Sequence, residues 1–387
     1  MQNFSYETPT RLIFGKGAVE KLPGVMKPLG NRILLTYGGG SIHRSGLYDK
    51  VKELLKDFTI FELSGIEPNP KYTTSVVPGV ELCKKESIDV ILAVGGGSVI
   101  DCSKAIAAGA KYNGEPWDLI TYKAKTTGAL PLVDILTLAA AGSEFDSGCV
   151  ISRTETNDKV GYGSRFLYPV CSLMDPEYTF TVPPMQTAAG CADAMNHTIE
   201  QYFTADTTLL NDGICEANLR SLMANTKILM KDPENYTARA EFMLDCSYGC
   251  NGILALGNSY SGWPCHGMEH ALSAYYDITH GVGLAIITPR WMEHILSDKT
   301  LPRFVKFAKN AMEVEPGADD METARRGIDA LYRFFESIGL PMHLKDVGID
   351  GSCIGEMAHH VAENEGLDEA YVPLTEQDIA DIFTASL

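Results

Sequence analysis

DVILAVGGGSVIDCSKAIAAGA, residues 89–110, runs an apolar segment into Gly95-Gly96-Gly97-Ser98 and out again into a helical pattern. Val90 to Val94 is apolar throughout, as a strand buried on both faces of a parallel sheet must be. Glycines let the backbone approach a diphosphate closely and take positive φ where that is needed. Ser98 is placed to cap the helix that follows. The exposed N–H groups and the dipole at a helix start favour an anion. The stretch is neither G-x-G-x-x-G nor a Walker loop, because no Gly-Lys-Ser/Thr follows it. A glycine-rich turn serving geometry alone is the competing reading. Asp101 and Lys104, three apart on the helix, read as a solvated ion pair.

Outward from this stretch the same texture repeats. RLIF (11–14), RILLTY (32–37), FTIFEL (58–63), LVDILTL (132–138), CVIS (149–152) and VCSLMD (170–175) are further strand candidates. Helical stretches such as SGLYDKVKELLKD (45–57) lie between them. Strand–helix alternation predicts parallel pairing with right-handed crossovers. Beyond Pro183-Pro184 the strand runs stop. ADAMNHTIEQYF (192–203), ARAEFMLDCSYGCNGILAL (238–256) and DMETARRGIDALYRFFESI (320–338) are helical in period. The chain therefore reads as α/β, with a parallel-sheet domain over 1–184 and an all-helical domain over 185–387.

Its 387 residues exceed the roughly 250–300 at which a single core stops growing, which agrees with two domains. The formal charge of −18 argues against nucleic acid or an anionic membrane surface as a partner. It leaves room for a nucleotide held by backbone N–H groups. MQNFSYETPTRLIF has no apolar targeting core, and no stretch reaches about 18 apolar residues, so a cytoplasmic protein is expected. The ten cysteines are irregularly spaced and read as reduced thiols, with Cys246 and Cys250 one helical turn apart as small core residues rather than half a metal site.

A second glycine run, Gly38-Gly39-Gly40-Ser41, also follows a strand. A dinucleotide fold that takes NAD usually carries an acid at this strand end for the ribose 2′-OH. Here there is none, and His43 and Arg44 follow, so a bound dinucleotide would be NADP. In the helical half, Asp193 and His197 share a helix face at i, i+4. Three of the nine histidines, His266, His270 and His280, fall within fifteen residues. Asp193, His197, His266 and His280 make three imidazoles and one carboxylate, a donor set for Zn²⁺ or Fe²⁺. His266-Gly-Met-Glu269-His270 also fits H-x-x-E-H, an inverted zinc-peptidase pattern that would leave the glycine runs unexplained.

These blocks stand in the order of a known family. YGGGSI (37–42), VGGGSVIDCSKAIAAG (94–109), TLAAAGSEFDSGCVIS (137–152), DPEYTFTVPPMQTAAGCADAMNHTIEQYF (175–203) and HGMEHALSAYYDITHGVGLAIITP (266–289) resemble the iron-containing (group III) alcohol dehydrogenases. Within them they resemble the NADPH-dependent butanol dehydrogenase and aldehyde reductase branch. The resemblance covers essentially the whole chain. It implies a Rossmann-like nucleotide domain, then a helical metal domain. It implies metal ligation by Asp193, His197, His266 and His280. It implies cofactor contacts from Gly38, Gly39, Ser41, Gly96, Gly97, Ser98, Thr137, Leu138, Asp146, Lys159 and Val182. It implies a non-ligating histidine, His270, beside the metal, and a homodimer.

The implied reaction is hydride transfer between NADP(H) and a small aldehyde or primary alcohol, with the metal as Lewis acid on the substrate oxygen and His270 as proton relay. A dehydroquinate-synthase-like lyase on the same scaffold and a non-catalytic NADP-binding protein are the alternatives. Phe145, Met195 and Trp263 are candidates to line an apolar pocket. The sequence departs from the family at Ala140-Ala141, where Gly-Thr is common. It departs at Asp146, where related NADPH enzymes carry a neutral amide. It departs again over Asn364–Tyr371, which is unlike a Gly-rich tail.

Overall fold

A computed structural model describes residues 1–387. They group into two compact units: Glu7–Val182 with Pro233–Ser247, and Met1–Tyr6 with Pro183–Asp232 and Tyr248–Leu387.

The first unit is built on a six-stranded parallel sheet. Its strands are β1 (Arg11–Phe14), β2 (Arg32–Tyr37), β3 (Thr59–Leu63), β4 (Val90–Gly95), β5 (Leu132–Leu136) and β8 (Cys171–Met174), in the order β1-β8-β5-β4-β2-β3. The helices of this stretch are α1 (Leu22–Met26), α2 (Ser41–Arg44), α3 (Leu47–Leu54), α4 (Val77–Glu86), α5 (Gly97–Ala110) and α6 (Trp117–Ile120). Alternation along the strands divides them into two buried sets. Ile33, Leu35, Val90, Leu92, Val94, Val133, Ile135 and Leu173 form one core with Val19, Leu22, Leu47 and Val51. The alternate residues Leu34, Ile91, Ala93 and Leu132 are equally buried, which explains why the strands read as unbroken apolar runs.

CVIS belongs to β6 (Gly148–Arg153), which pairs antiparallel with β7 (Asp158–Gly163) in a separate two-stranded ribbon. It does not extend the parallel sheet. The four residues between the two strands allow a direct return, whereas a parallel partner needs a crossover of a dozen or more.

The other unit contains helices and no strand of either sheet. Its helices are α7 (Pro184–Tyr202), α8 (Leu209–Leu229), α10 (Pro264–Tyr276), α11 (His280–Ile295), α12 (Leu301–Asn310), α13 (Asp320–Ser337), α14 (Ile354–Asn364) and α15 (Glu376–Ala385). Between α8 and α10 in the chain, α9 (Tyr236–Cys250) lies mostly in the sheet unit. The helix expected over 238–256 stops at Cys250, because Gly252 turns the chain at φ +84 into a short 3₁₀ turn, Ile253–Ala255. No disulfide is present, and no helix is long and apolar enough to cross a membrane.

One polar group lies inside the sheet. Asp134 on β5 is paired in register with Ser172 on β8, and both are fully buried. The Ser172 hydroxyl is 2.6 Å from Asp134 Oδ2 and 2.6 Å from the Glu144 carbonyl oxygen.

Candidate metal centre and dinucleotide loops

The chain runs from β2 outward to β3, then back past β2 to β4 and on to β5. Connections from the adjacent strands β2 and β4 therefore diverge, and a doubly wound sheet binds ligands at the carboxyl ends of such a pair. Both glycine runs lie there: Gly38–Gly40 after β2, and Gly96–Gly97 after β4. None of these glycines has positive φ. What each contributes is a missing Cβ. At Gly96 a Cβ would come within 3.0 Å of Leu138 Cβ, and at Gly97 within 2.9 Å of Ala141 Cβ. The loop after β4 thus packs directly on the segment after β5, where the Thr137 N–H donates to the Gly95 carbonyl at 2.9 Å. The candidates Gly96, Gly97, Ser98, Thr137 and Leu138 come together.

Ser98 is not the cap expected of it. Gly96 is the N-cap of α5, with no side-chain hydrogen bond, and Ser98 is the second helical residue. The first N–H groups of this helix consequently have no intrahelical partner and remain available to an anion. Ser41 opens α2 behind Gly40 in the same way. The Arg44 guanidinium folds back over this turn, with Nη1 3.0 Å from the point a Gly40 Cβ would occupy.

Asp101 and Lys104 are not a solvated pair. Lys104 is fully buried and donates to Asp146 Oδ1 at 2.7 Å, the Asp146 carbonyl at 3.1 Å and the Gly148 carbonyl at 2.7 Å. Burial alone would lower its pKa, but the Asp146 and Asp101 carboxylates outweigh that and hold it above its ordinary value. Asp101 accepts from the Ser143 hydroxyl at 2.5 Å and the Val150 N–H at 2.9 Å. The Asp146 carboxylate therefore has a local partner, because it neutralises a buried ammonium. Lys159 is buried on β7, and Val182 ends the first and longer of the two segments that make up the sheet unit.

In the helical unit the donors meet. Asp193 and His197 project from one face of α7, His266 from the first turn of α10, and His280 opens α11. Asp193 Oδ1 lies 3.4 Å from His197 Nε2, 3.7 Å from His266 Nε2 and 3.6 Å from His280 Nε2. Ligands about 2.1 Å from a tetrahedral ion stand roughly 3.4 Å apart, so these separations fit an ion at their centre. The ligand atoms of Asp193, His266 and His280 all lie within 4.8 Å of one another, and the His197 ring stacks on His266 at 4.8 Å between centroids.

Two orphaned atoms point the same way. Asp193 Oδ1 and His266 Nε2 are buried without a hydrogen-bond partner. Such groups are costly unless something binds them. The opposite edges of two rings are fixed by carboxylates: His266 Nδ1 bonds to Glu200 and His280 Nδ1 to Glu269. Those bonds turn both Nε2 atoms inward, as a carboxylate behind a metal-bound histidine does. Asp193, Glu200 and Glu269 together bring three buried carboxylates to this set, an excess of negative charge that a divalent cation balances.

The electrostatics agree. Burial, the largest influence on Asp193, would raise its pKa, but His197, His280 and His266 outweigh it and hold the carboxyl well below its usual range. Burial lowers His197 to about 4, leaving it a neutral donor. Burial also pulls on His266, yet Glu200 and Asp193 push it up to about 10, so the same carboxylates attract whichever positive centre occupies the site.

Local sequence explains why the helices approach so closely. A Cβ on Gly281 would lie 2.0 Å from the Ala189 carbonyl oxygen, so only glycine lets the start of α11 bring His280 against α7. Trp263, the N-cap of α10, is held at φ +49. Its ring stands edge-on to His266 at 5.2 Å and to His197 at 6.0 Å, and so walls one side of the centre. Non-glycine residues in this backbone region concentrate at functional sites. Met195 is fully buried, whereas Phe145 in the other unit is partly exposed.

The peptidase pattern at 266–270 dissolves here. Glu269 is fully buried and engages His280 and the Ser273 hydroxyl, so it is not available to activate water. His270 lies outside the converging set, its ring 6.0 Å from that of His280, with Nδ1 3.6 Å from Glu365 Oε1. Sequence reasoning missed Glu200 as an orienting group and Gly281 as the contact point. A carboxylate three residues after His197 was the available signal for Glu200.

Comparison with known proteins finds matches over both halves of the chain. Residues 9–176 match the family model for iron-containing alcohol dehydrogenase, and residues 187–387 match the C-terminal model of the Fe-containing alcohol dehydrogenase family. The chain is 47% identical to NADH-dependent butanol dehydrogenase A of Clostridium acetobutylicum, with all of both chains covered. It is 39% identical to the NADPH-dependent aldehyde reductase YqhD of Escherichia coli over 94% of each. The crystal structure of NADH-dependent butanol dehydrogenase A from Thermotoga maritima superposes with a TM-score of 0.95 at 37% identity, covering 100% of this chain and 99% of that one. With both halves matched, the chain belongs to the iron-containing alcohol dehydrogenase family.

Proposed function

We propose that this protein interconverts small aliphatic aldehydes and primary alcohols, butanal and butanol among them, with NADP(H) and one divalent ion, Fe²⁺ or Zn²⁺. The carrying observation is the convergence of Asp193, His197, His266 and His280, with Asp193 Oδ1 and His266 Nε2 buried and unpartnered. A bound ion would supply Lewis acidity at the substrate oxygen, and a bound nicotinamide would supply or accept the hydride.

The chain's own residues do the rest. Asp193 and the three imidazoles hold the ion, while Glu200 and Glu269 fix the rings that present it. The N–H groups at the starts of α2 and α5 receive the diphosphate, with Gly38, Gly39, Ser41, Gly96, Gly97 and Ser98 allowing its approach. Thr137, Leu138, Asp146, Lys159 and Val182 are the remaining cofactor candidates. Trp263 keeps water from one side of the ligand set. His270 moves the proton between the substrate oxygen and solvent, its Nδ1 facing Glu365.

NADP rather than NAD follows from the end of β2, where Gly38 to Gly40 present no carboxylate to a 2′-phosphate and Arg44 folds over the turn. The NADH-dependent names of two relatives favour the other dinucleotide. The test is consumption of NADPH and of NADH with butanal, followed at their ultraviolet absorbance, with metal analysis of the same sample. A kcat/KM several-fold higher with NADPH supports the proposal, and a strong NADH preference overturns that part of it. Turnover that survives complete metal removal overturns the metal role. Failure to reduce butanal with either dinucleotide overturns the activity itself. The proposal includes a cytoplasmic homodimer, and sedimentation analysis checks the dimer.

A further inference from the structure

The chemistry proposed above gives no task to the charge of Glu365. This residue caps the C-terminal end of α14, its N–H donating to the Val361 carbonyl, and Gly366 at φ +62 turns the chain away behind it. Its side chain lies along α10 at Gly267. A Cβ on Gly267 would come within 3.0 Å of Glu365 Cβ, 3.2 Å of its Cγ and 3.4 Å of Oε2. The glycine therefore leaves the room that the carboxylate occupies. From there Oε1 stands 3.6 Å from His270 Nδ1, beyond hydrogen-bond length but within ion-pair range. His270 stacks on His280, so one imidazole ring separates this carboxylate from the ligand set. The Glu365 side chain keeps 23% of its surface open to solvent. The field around it is negative: Tyr260 is raised above its ordinary pKa by burial first, then by Glu369, Glu365 and Glu200. Glu365 also falls in the stretch whose sequence departs from the family pattern.

We propose that Glu365 is a specificity-determining residue whose charge rejects substrates carrying an anionic group at the end remote from the reacting oxygen, leaving neutral and hydroxylated chains as the accepted class. The inference rests on the aldehyde and alcohol activity proposed above. On this reading the remote end of a substrate held by its oxygen at the ligand set runs past His270 to this charge. For unit charges about 6 Å apart in an effective dielectric of about 40, the repulsion amounts to about tenfold.

The experiment compares metal-loaded wild type with Glu365→Gln, Glu365→Asp and Asp368→Asn. Each is assayed with butanal and with the four-carbon ω-carboxy aldehyde. Calorimetry then measures binding of 4-hydroxybutyrate against 1,4-butanediol to the same samples. Glu365→Gln should raise kcat/KM for the anionic aldehyde relative to butanal by about tenfold, mainly through KM, and tighten 4-hydroxybutyrate binding by a similar factor. Glu365→Asp should retain the discrimination. Asp368→Asn, which removes an exposed charge nearby, should leave the ratio unchanged. An unaltered ratio in Glu365→Gln, or an equal change in Asp368→Asn, overturns the proposal. If wild type reduces neither aldehyde, the proposed activity fails on its own account, and the calorimetric comparison alone decides whether Glu365 excludes anions.

Discussion

At Gly97 a Cβ would press within 2.9 Å of Ala141, whereas at Asp193 it is an oxygen, 3.4 to 3.7 Å from three imidazole nitrogens, that matters. The proposed dinucleotide site of the sheet unit is prepared by side chains that are missing, and binding there would fall to backbone N–H groups. The helical unit prepares its own through side chains that are present, buried and oriented by further carboxylates. The contrast has a mutational corollary. At Gly96 and Gly97 of the sheet unit a substitution does harm by adding atoms, and the harm is graded. In the helical unit harm comes from removing a donor, and it is abrupt.

The sharpest way to break this comparison is His266→Ala. It should lose bound metal and lower turnover about a thousandfold, corresponding to several kcal/mol of transition-state stabilisation. Metal analysis and butanal-dependent NADPH oxidation measure the two effects, and retained metal with full activity would sink the ligand assignment. Glu200→Gln is the next test. It leaves every donor in place and should weaken metal affinity by about 10- to 100-fold, as read by chelator competition. Gly97→Ala should raise KM for the dinucleotide about tenfold through displacement of the loop, with metal content unchanged. Loss of the metal as well would mean that the loop and the ligand set are coupled. The smallest effect belongs to Arg44→Ala, which should raise KM for NADPH about fivefold and leave NADH nearly unaffected.

Much of the fold was readable because burial on both faces leaves a plain signature. RILLTY coincides residue for residue with β2, buried over all but its first residue, and RLIF with β1, an edge strand exposed at both ends. The ribbon strand β7, DKVGYG, was not found, since alternating glycine and polar residues resemble a loop. The four proposed metal ligands were legible from helical spacing and histidine clustering. Their supporting carboxylates were not, because Glu200 and Glu269 look like ordinary helix residues until the fold turns them toward His266 and His280. Lys104 shows the same limit: a lysine three residues from an aspartate is usually solvated, and only the return of the chain at Asp146 and Gly148 buries it.

The hydroxyl of Ser172 has a single hydrogen and two oxygens within 2.6 Å. One of them, the Glu144 carbonyl, can only accept, so that hydrogen goes to Glu144 and the contact with Asp134 requires the acid to donate. Asp134 is therefore a neutral carboxylic acid inside the sheet, in keeping with a pKa that burial raises well above 3.8. Unfolding releases it to ionise. The folded state thus binds the extra proton, and this group's contribution to stability declines as pH rises above 3.8 toward the folded value. Asp134→Asn, whose amide donates without titrating, should flatten that decline and raise the melting temperature more at pH 8 than at pH 5. An equal shift at both pH values would mean the aspartate is ionised in place.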